Sequence, residues 1–454
     1  MILCMLRRAG ALLLFAAAPA SAQRTVDEYI RTTMAESQIP GLSLAVLKNG
    51  KLVKVAGYGL ANVETGTPAT AQTVYKAASL SKQFTAAAVV LLAQEGRLAL
   101  DDRAAKYLSD APEAWKDITI RQLLSHTSGL VRDPADYEPY RERPVADVIR
   151  SVYPVPLVAP PGEKFLYSNV GYYVLAEIVS RASGMPWTEL VSRRLFGPAG
   201  MTATRPTTTT DIVPNRAHGY KRTATGLANV EDWIAMRPSA AFLSTVEDLA
   251  KWDVFLTQEP LRTIMPQLWT PATLTGGATS SYGFGWYVHT YLTRPRIHHD
   301  GQFPGFRSDY ERFPADSLTV IVLTNLDNAR VEWIALRVAG FYAPALATPR
   351  FTLQASAPAG RLASGAPVTV DVAATADRAA PESVLEIEIW DESEHSAYKA
   401  NRTNESFAAG ETRHFPFTFT PKAPGRYTVS VSAFGPRYAP PYTFAPRALV
   451  IAVE

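Results

Sequence analysis

Strand-like patterning occurs in two blocks of the first 340 residues, far apart in the chain, and that separation constrains the fold most. Gly41 to Lys48 and Lys51 to Gly59 are strand-like and joined by Asn49-Gly50. Asn-Gly is a strong two-residue hairpin signal because both positions take positive φ. The second block comprises Tyr282 to Tyr291, Arg296 to Asp300, Phe306 to Phe313 and Leu318 to Thr324, where the apolar period is two. Helical and loop character fills the interval to about Gln267. The late strands are expected to join the early hairpin in one antiparallel sheet. Helices at Thr25 to Ser37 and Ala329 to Phe341 would cover one face, and the helical insertion would flank the other. The regular strand–helix alternation of a doubly wound sheet is missing. The fold class is therefore α/β of the α+β kind.

After Pro344-Ala345-Leu346-Ala347-Thr348-Pro349, a linker by composition, the pattern changes again. Val368 to Ala373, Val384 to Ile389, His414 to Phe419, Tyr427 to Phe434 and Ala448 to Val453 alternate apolar and polar residues between turn signals. About 100 residues of this kind predict a small immunoglobulin-like β-sandwich. At the other end, Arg7 and Arg8, the apolar run Ala9 to Ala18 and Ala20-Ser21-Ala22 read as a secretory signal with cleavage near Ala22. The expected organisation is residues 1–22 signal peptide, 23–343 first domain, 344–350 linker and 351–454 β-sandwich. The one cysteine, Cys4, falls in the signal segment, so the mature chain would carry no disulfide. Export without disulfides points to a bacterial periplasm or exterior. A net charge of +3 with no basic run or aromatic-basic stripe excludes the nucleic-acid binders. No integral membrane segment is expected after processing.

Ser79-Leu80-Ser81-Lys82 opens an apolar helix-like run from Phe84 to Gln94. Residues i and i+3 share a helix face, so the hydroxyl of Ser79 sits beside an amine able to take its proton. Free backbone N–H groups at a helix start suit an oxyanion. Ser396-Ala397-Tyr398-Lys399 has the same spacing but lies between strand-like runs with no apolar helix after it, and is set aside. Two more motifs follow: Tyr167-Ser168-Asn169 on a loop, and His299-Asp300-Gly301 at a strand end, leading into Gln302-Phe303-Pro304-Gly305.

This ordered set resembles the penicillin-recognising serine hydrolases, and within them the class C β-lactamase-like branch with its DD-carboxypeptidases, D-aminopeptidases and esterases. The resemblance covers roughly Thr25 to Phe341 and includes Ser125-His126-Thr127-Ser128-Gly129-Leu130, Pro161-Gly162 and Leu243-Ser244-Thr245. It implies that Ser79 is the nucleophile of an acyl-enzyme and that Lys82 and Tyr167 share the proton work. An ammonium beside the phenol would favour phenolate. Asn169 would hold the substrate's acyl amide. His299 would stand where β-lactamases of class C carry lysine, and Gly301 would let substrate lie against the strand edge. The N–H groups of Ser79 and Gln302 would form the oxyanion hole. A titrating His299, with an ordinary pKa of about 6.5, would attract a substrate carboxylate weakly.

The remaining signals are structural. His126 reads as a hydrogen-bonding loop residue, and His298 points away from His299 by strand alternation. His218, His289, His395 and His414 have no metal-ligand spacing, and His-Glu-x-x-His is absent. No metal or cofactor is expected. Ser81 reads equally well as a supporting hydroxyl or a helix-surface serine, and Arg307 reads as a strand surface charge ahead of a group that binds a substrate carboxylate. The expected function is an exported serine hydrolase cleaving an amide or ester of a small molecule or short peptide, with D-amino-acid peptides or esters first. The alternatives are a promiscuous carboxylesterase/β-lactamase and a slow-acylating or non-catalytic penicillin-binding protein. Residues 351–454 are the expected oligomer or envelope contact.

Overall fold

A computed structural model describes residues 20–207, 210–223, 225–231, 238–359, 362–438 and 441–454. The expected signal core and Cys4 lie outside them; Ala20-Ser21-Ala22 opens the helix Ala20–Ser37. The described residues form two compact units, one drawn from 20–23, 40–221 and 229–335, the other from 24–39, 222–228 and 336–454.

The first unit is built on one seven-stranded sheet. Its strands are β1 (Gly41–Lys48), β2 (Lys51–Asn62), β3 (Thr67–Pro68), β4 (Tyr287–Tyr291), β5 (Arg294–Phe303), β6 (Phe306–Phe313) and β7 (Leu318–Thr324). The order is β3-β2-β1-β7-β6-β5-β4, and the neighbours we trace are antiparallel. The late strands do join the early hairpin, through Leu42↔Thr324 to Lys48↔Leu318. Asn49 and Gly50 both have positive φ, +53° and +70°, as a primed two-residue turn requires. The first late strand is shorter than its sequence pattern suggests. Tyr282 lies before β4 and joins Tyr287 only through an isolated bridge.

Between β3 and β4 the chain carries helices joined by long loops and a few strands of two to four residues. The helix Ser81–Gln94 is buried from Ser81 to Leu92, so it has no solvent face. Phe84 anchors it edge-on against Phe196, Phe242 and Trp252, with ring centroids 4.9–5.7 Å apart. Such aromatic edges add about 0.5–1.5 kcal/mol each beyond area burial.

In the second unit, β8 (Phe351–Ser356), β9 (Val368–Ala376), β10 (Ala380–Trp390), β11 (Ser396–Phe407), β12 (Thr412–Phe419), β13 (Gly425–Phe434) and β14 (Pro441–Val453) form sheets of order β8-β9-β12 and β11-β10-β13-β14. Alternate residues such as Val370, Val372, Ile387, Ile389, Phe417 and Val429 make its core. Near the start of β13, Tyr427 Oη donates to Ala423 O at 2.9 Å. That is the tyrosine corner of immunoglobulin-like sandwiches. Strands β8 and β11 are additional to the five read from sequence. The burial of β11 is mostly exposed, as suits an edge, and this hid it from a search for alternation. The second Ser-x-x-Lys, Ser396 to Lys399, lies on β11, where i and i+3 face opposite sides.

Candidate active site

Ser79 sits in a short 3₁₀ turn, Ala78–Leu80, that runs directly into the helix Ser81–Gln94. Ala78 has φ +51°. A non-glycine residue in that region is strained and persists only where surroundings impose it. The surroundings here are the sheet. Ser308 Oγ on β6 donates to Ala77 O at 2.9 Å. A Cβ on Gly301 of β5 would lie 2.7 Å from Ala77 O and 3.0 Å from the Ala78 Cβ. Gly301 thus admits the nucleophile turn itself against the strand.

Lys82 is fully buried. Its Nζ donates to Ser79 Oγ at 3.1 Å, Asn169 Oδ1 at 3.0 Å and Ser239 O at 2.8 Å. Three acceptors match the three N–H bonds of an ammonium, the condition for burying that charge. The ring of Tyr167 lies under the same nitrogen, 4.8 Å to its centroid. Burial pushes the Tyr167 phenol well above its usual range, against the opposing effect of the Ser79 side chain. Tyr167 is therefore a phenol at neutral pH, not the phenolate expected from a neighbouring ammonium.

His126 fixes Tyr167. Its ring centroid is 4.2 Å from that of Tyr167, and its Nδ1 accepts from Ser168 N–H at 3.1 Å. It too has positive φ, +58°, and burial drives its pKa well below 6.5. Ser168 caps the helix Asn169–Ser183 by accepting from Gly171 N–H, which puts Asn169 in the first turn. Asn169 gives its oxygen to Lys82 and its Nδ2 to Asp133 Oδ1 at 2.8 Å. In this state both ends of the amide hold protein groups rather than facing a substrate amide.

The cleft above Ser79 has a volume of about 400 Å³. Tyr167, Asn169, Ser239, Tyr287, Asp300 and Gln302 are among its walls, with Arg132, Asp133 and Asp327. His299 stands behind this wall, 1% exposed. Its Nε2 pairs with Tyr282 Oη at 2.9 Å and its Nδ1 with Asp300 O at 2.6 Å. Burial, with Lys82 nearby, drops its pKa to about 4 against the pull of Asp300. The expectation of a titrating imidazole that meets a substrate carboxylate is corrected: at neutral pH His299 is an uncharged brace for β5.

The Beta-lactamase family model matches residues 26–340. The chain belongs to that family. As a family member it is 29% identical over 321 residues to Protein flp of Staphylococcus aureus (strain N315), covering 68% of this chain and 64% of that protein. It thus spans under two thirds of that relative's length. The octameric penicillin-binding protein homologue from Pyrococcus abyssi has the same fold, with TM-score 0.65 at 20% identity over 90% of this chain and 98% of that one. So does the D-amino acid amidase from Ochrobactrum anthropi SV3, with TM-score 0.63 at 21% identity over 72% and 99%. The first unit is a β-lactamase/transpeptidase-like fold, and at the coarse level the family is one of serine hydrolases.

Several residues of this site carry no sequence signal. The Ser239 carbonyl is backbone. Arg132 and Asp133 lie on a loop, with the Arg132 guanidinium 5.2 Å from the Tyr167 ring centroid. Ser81, left undecided by sequence, accepts from Phe242 N–H at 3.1 Å and ties the helix start to its neighbour. Arg307 contacts Asp327 O at 3.4 Å at the cleft edge.

Proposed function

We propose that this chain is an exported serine hydrolase that cleaves an amide or ester through an acyl-enzyme on Ser79, with D-amino-acid peptides or esters as substrates. The observation that carries the reading is the 3.1 Å contact between Lys82 Nζ and Ser79 Oγ, with the Tyr167 ring centroid 4.8 Å from the same nitrogen. Ser79 Oγ attacks the acyl carbon, and its proton passes into the Lys82–Tyr167 pair. Lys82 accepts a proton only as the neutral amine, so the reactive form gives up one of its three donated bonds. Tyr167, kept as a phenol by burial, supplies a proton to the departing amine or alcohol. The oxyanion sits against the N–H groups of Ser79 and Gln302. Water then reverses the sequence and frees the acid. Asp133, Asp300 and Asp327 outnumber Arg132 around the cleft, which supports neutral or cationic substrates such as those with a free α-ammonium.

The test is a substrate panel on the full-length protein: a chromogenic short-chain ester, a D-amino acid amide, a D-Ala-D-Ala peptide and a cephalosporin. The highest kcat/KM is expected for the D-amino acid amide, the D-peptide or the ester. A cephalosporin turned over far faster than the rest would replace the reading by a β-lactamase. Acylation without turnover of any substrate would replace it by a slow-acylating binder.

A further inference from the structure

On the face of β5 and β6 away from the nucleophile turn, strand pairing collects three ionisable side chains that no sequence spacing flags. His298 pairs with Glu311, and Asp300 pairs with Asp309. Ligand-capable atoms of His298, Asp309 and Glu311 all lie within 4.8 Å of one another, and all three residues are buried. We propose that this cluster is a binding site for one divalent first-row cation of the Zn²⁺ type, held by His298 Nδ1 and by the carboxylates of Asp309 and Glu311.

Three observations converge on it. First, the imidazole is set up as a ligand. His298 Nε2 pairs with His289 Nδ1 at 2.8 Å. When Nε2 donates that bond, Nδ1 keeps its lone pair, and a partner on the far nitrogen is the usual support of a metal-bound histidine. Second, two of the three ligand side chains present unpartnered atoms. Among the described residues no hydrogen-bond donor meets His298 Nδ1 or either Asp309 oxygen. Asp309 is fully buried, and leaving such a group unmet is costly. Third, the spacing is open. His298 Nδ1 and Glu311 Oε1 are 3.9 Å apart, too far for a hydrogen bond. Two bonds of about 2.0–2.2 Å to one ion span that gap.

Charge points the same way. Arg296 bonds both oxygens of Glu311 and also Glu332 Oε1. Once ionised, Asp309, Glu311 and Glu332 outnumber the one guanidinium, so a cation would be attracted. One imidazole and two carboxylates form a mixed N/O set that suits Zn²⁺ and its neighbours better than an all-oxygen cage for Ca²⁺ or Mg²⁺. The competing occupant is a proton shared between Asp309 and Glu311, whose carboxyls are pushed up by burial, to about 7 for Glu311.

Tag-free, chelator-stripped full-length protein titrated with ZnCl₂ in a calorimeter decides between them. One ion per chain and a rise in Tm on loading are expected. Asp309→Asn, close to isosteric, is expected to abolish the stoichiometric site. His289→Ala, which removes only the support on Nε2, is expected to weaken it by about 10- to 100-fold. Circular dichroism checks that the variants are folded. No stoichiometric uptake by the wild type, or uptake undiminished in folded Asp309→Asn, overturns the proposal. Stripped wild type that gains Tm on mild acidification yet ignores Zn²⁺ also overturns it, and assigns the cluster to a shared proton.

Discussion

Two buried polar clusters flank β5, one on each face, and they are solved in opposite ways. On the nucleophile side, Lys82 meets three acceptors, Asn169 spends both ends of its amide, and both nitrogens of His299 are bonded. On the other side, His298 and Asp309 present atoms with no donor among the described residues. A network of this kind holds geometry, because Lys82, Asn169 and His299 are each fixed by two or more partners, although His126 Nε2 beside them has none among the described residues. An open one stores unfavourable electrostatics until something enters. Adjacent histidines, His298 and His299, belong to different clusters only because strand side chains alternate.

The largest expected effect comes from the closed cluster. Ser79→Ala is expected to lower kcat/KM on the best panel substrate by about 10⁴-fold or more, with Tm nearly unchanged. Steady-state kinetics checks this, and retention of most of the rate would move the nucleophile elsewhere. Lys82→Met keeps the volume and removes the amine. It is expected to cost about 10²–10⁴ in kcat with a smaller change in KM. A change confined to KM would make Lys82 a binding group.

The contrast itself can be broken with a pair of substitutions. Asn169→Leu leaves Lys82 and Asp133 each short of a partner, so a loss of about 2 kcal/mol is expected. Asp309→Asn in stripped protein removes an unpartnered carboxylate, so a gain of about 1 kcal/mol is expected instead. Denaturant midpoints measure both. Losses of equal size at the two sites would show that the clusters do not differ.

The smallest effect concerns acid. His126 faces Lys82, Arg132 and His299, and burial holds it neutral well below 6.5. Below that pH the unfolded chain binds a proton that the folded chain refuses, so stability falls as pH drops from about 7 to 5. His126→Asn suits φ +58° and removes this contribution. Its loss between pH 7 and 5 is expected to be smaller than that of the wild type by about 1 kcal/mol. Equal losses would mean that His126 takes up its proton in the folded state.

Much of the layout was legible in the sequence. The Asn49-Gly50 turn, the period-two block after Gly283 and the helical interval define the sheet order almost alone. Ser79, Lys82, Tyr167 and Asn169 were found by motif, and the structure gathers them around the Lys82 nitrogen, which bonds Ser79 and Asn169 and lies 4.8 Å from the Tyr167 ring centroid. What stayed hidden depends on burial. The polar alternation of Arg307, Asp309 and Glu311 reads as a solvated strand face, yet Asp309 and Glu311 are fully buried. His299 sits in the right motif, but only burial shows that its ring is uncharged and set behind the cleft wall. Ser239 contributes a carbonyl, which no side-chain pattern can reveal. A row of ionisable residues at period two, opposite a histidine, is the signal that would have exposed the second cluster.

The acyl-enzyme on Ser79 is tested most directly by intact-mass spectrometry of the protein quenched during reaction with a fluorophosphonate or a slow ester. One adduct per chain is predicted, mapped by peptide sequencing to Ser79 and missing from Ser79→Ala. An adduct on another residue, or continued hydrolysis by a Ser79→Ala protein that forms no adduct, would contradict it.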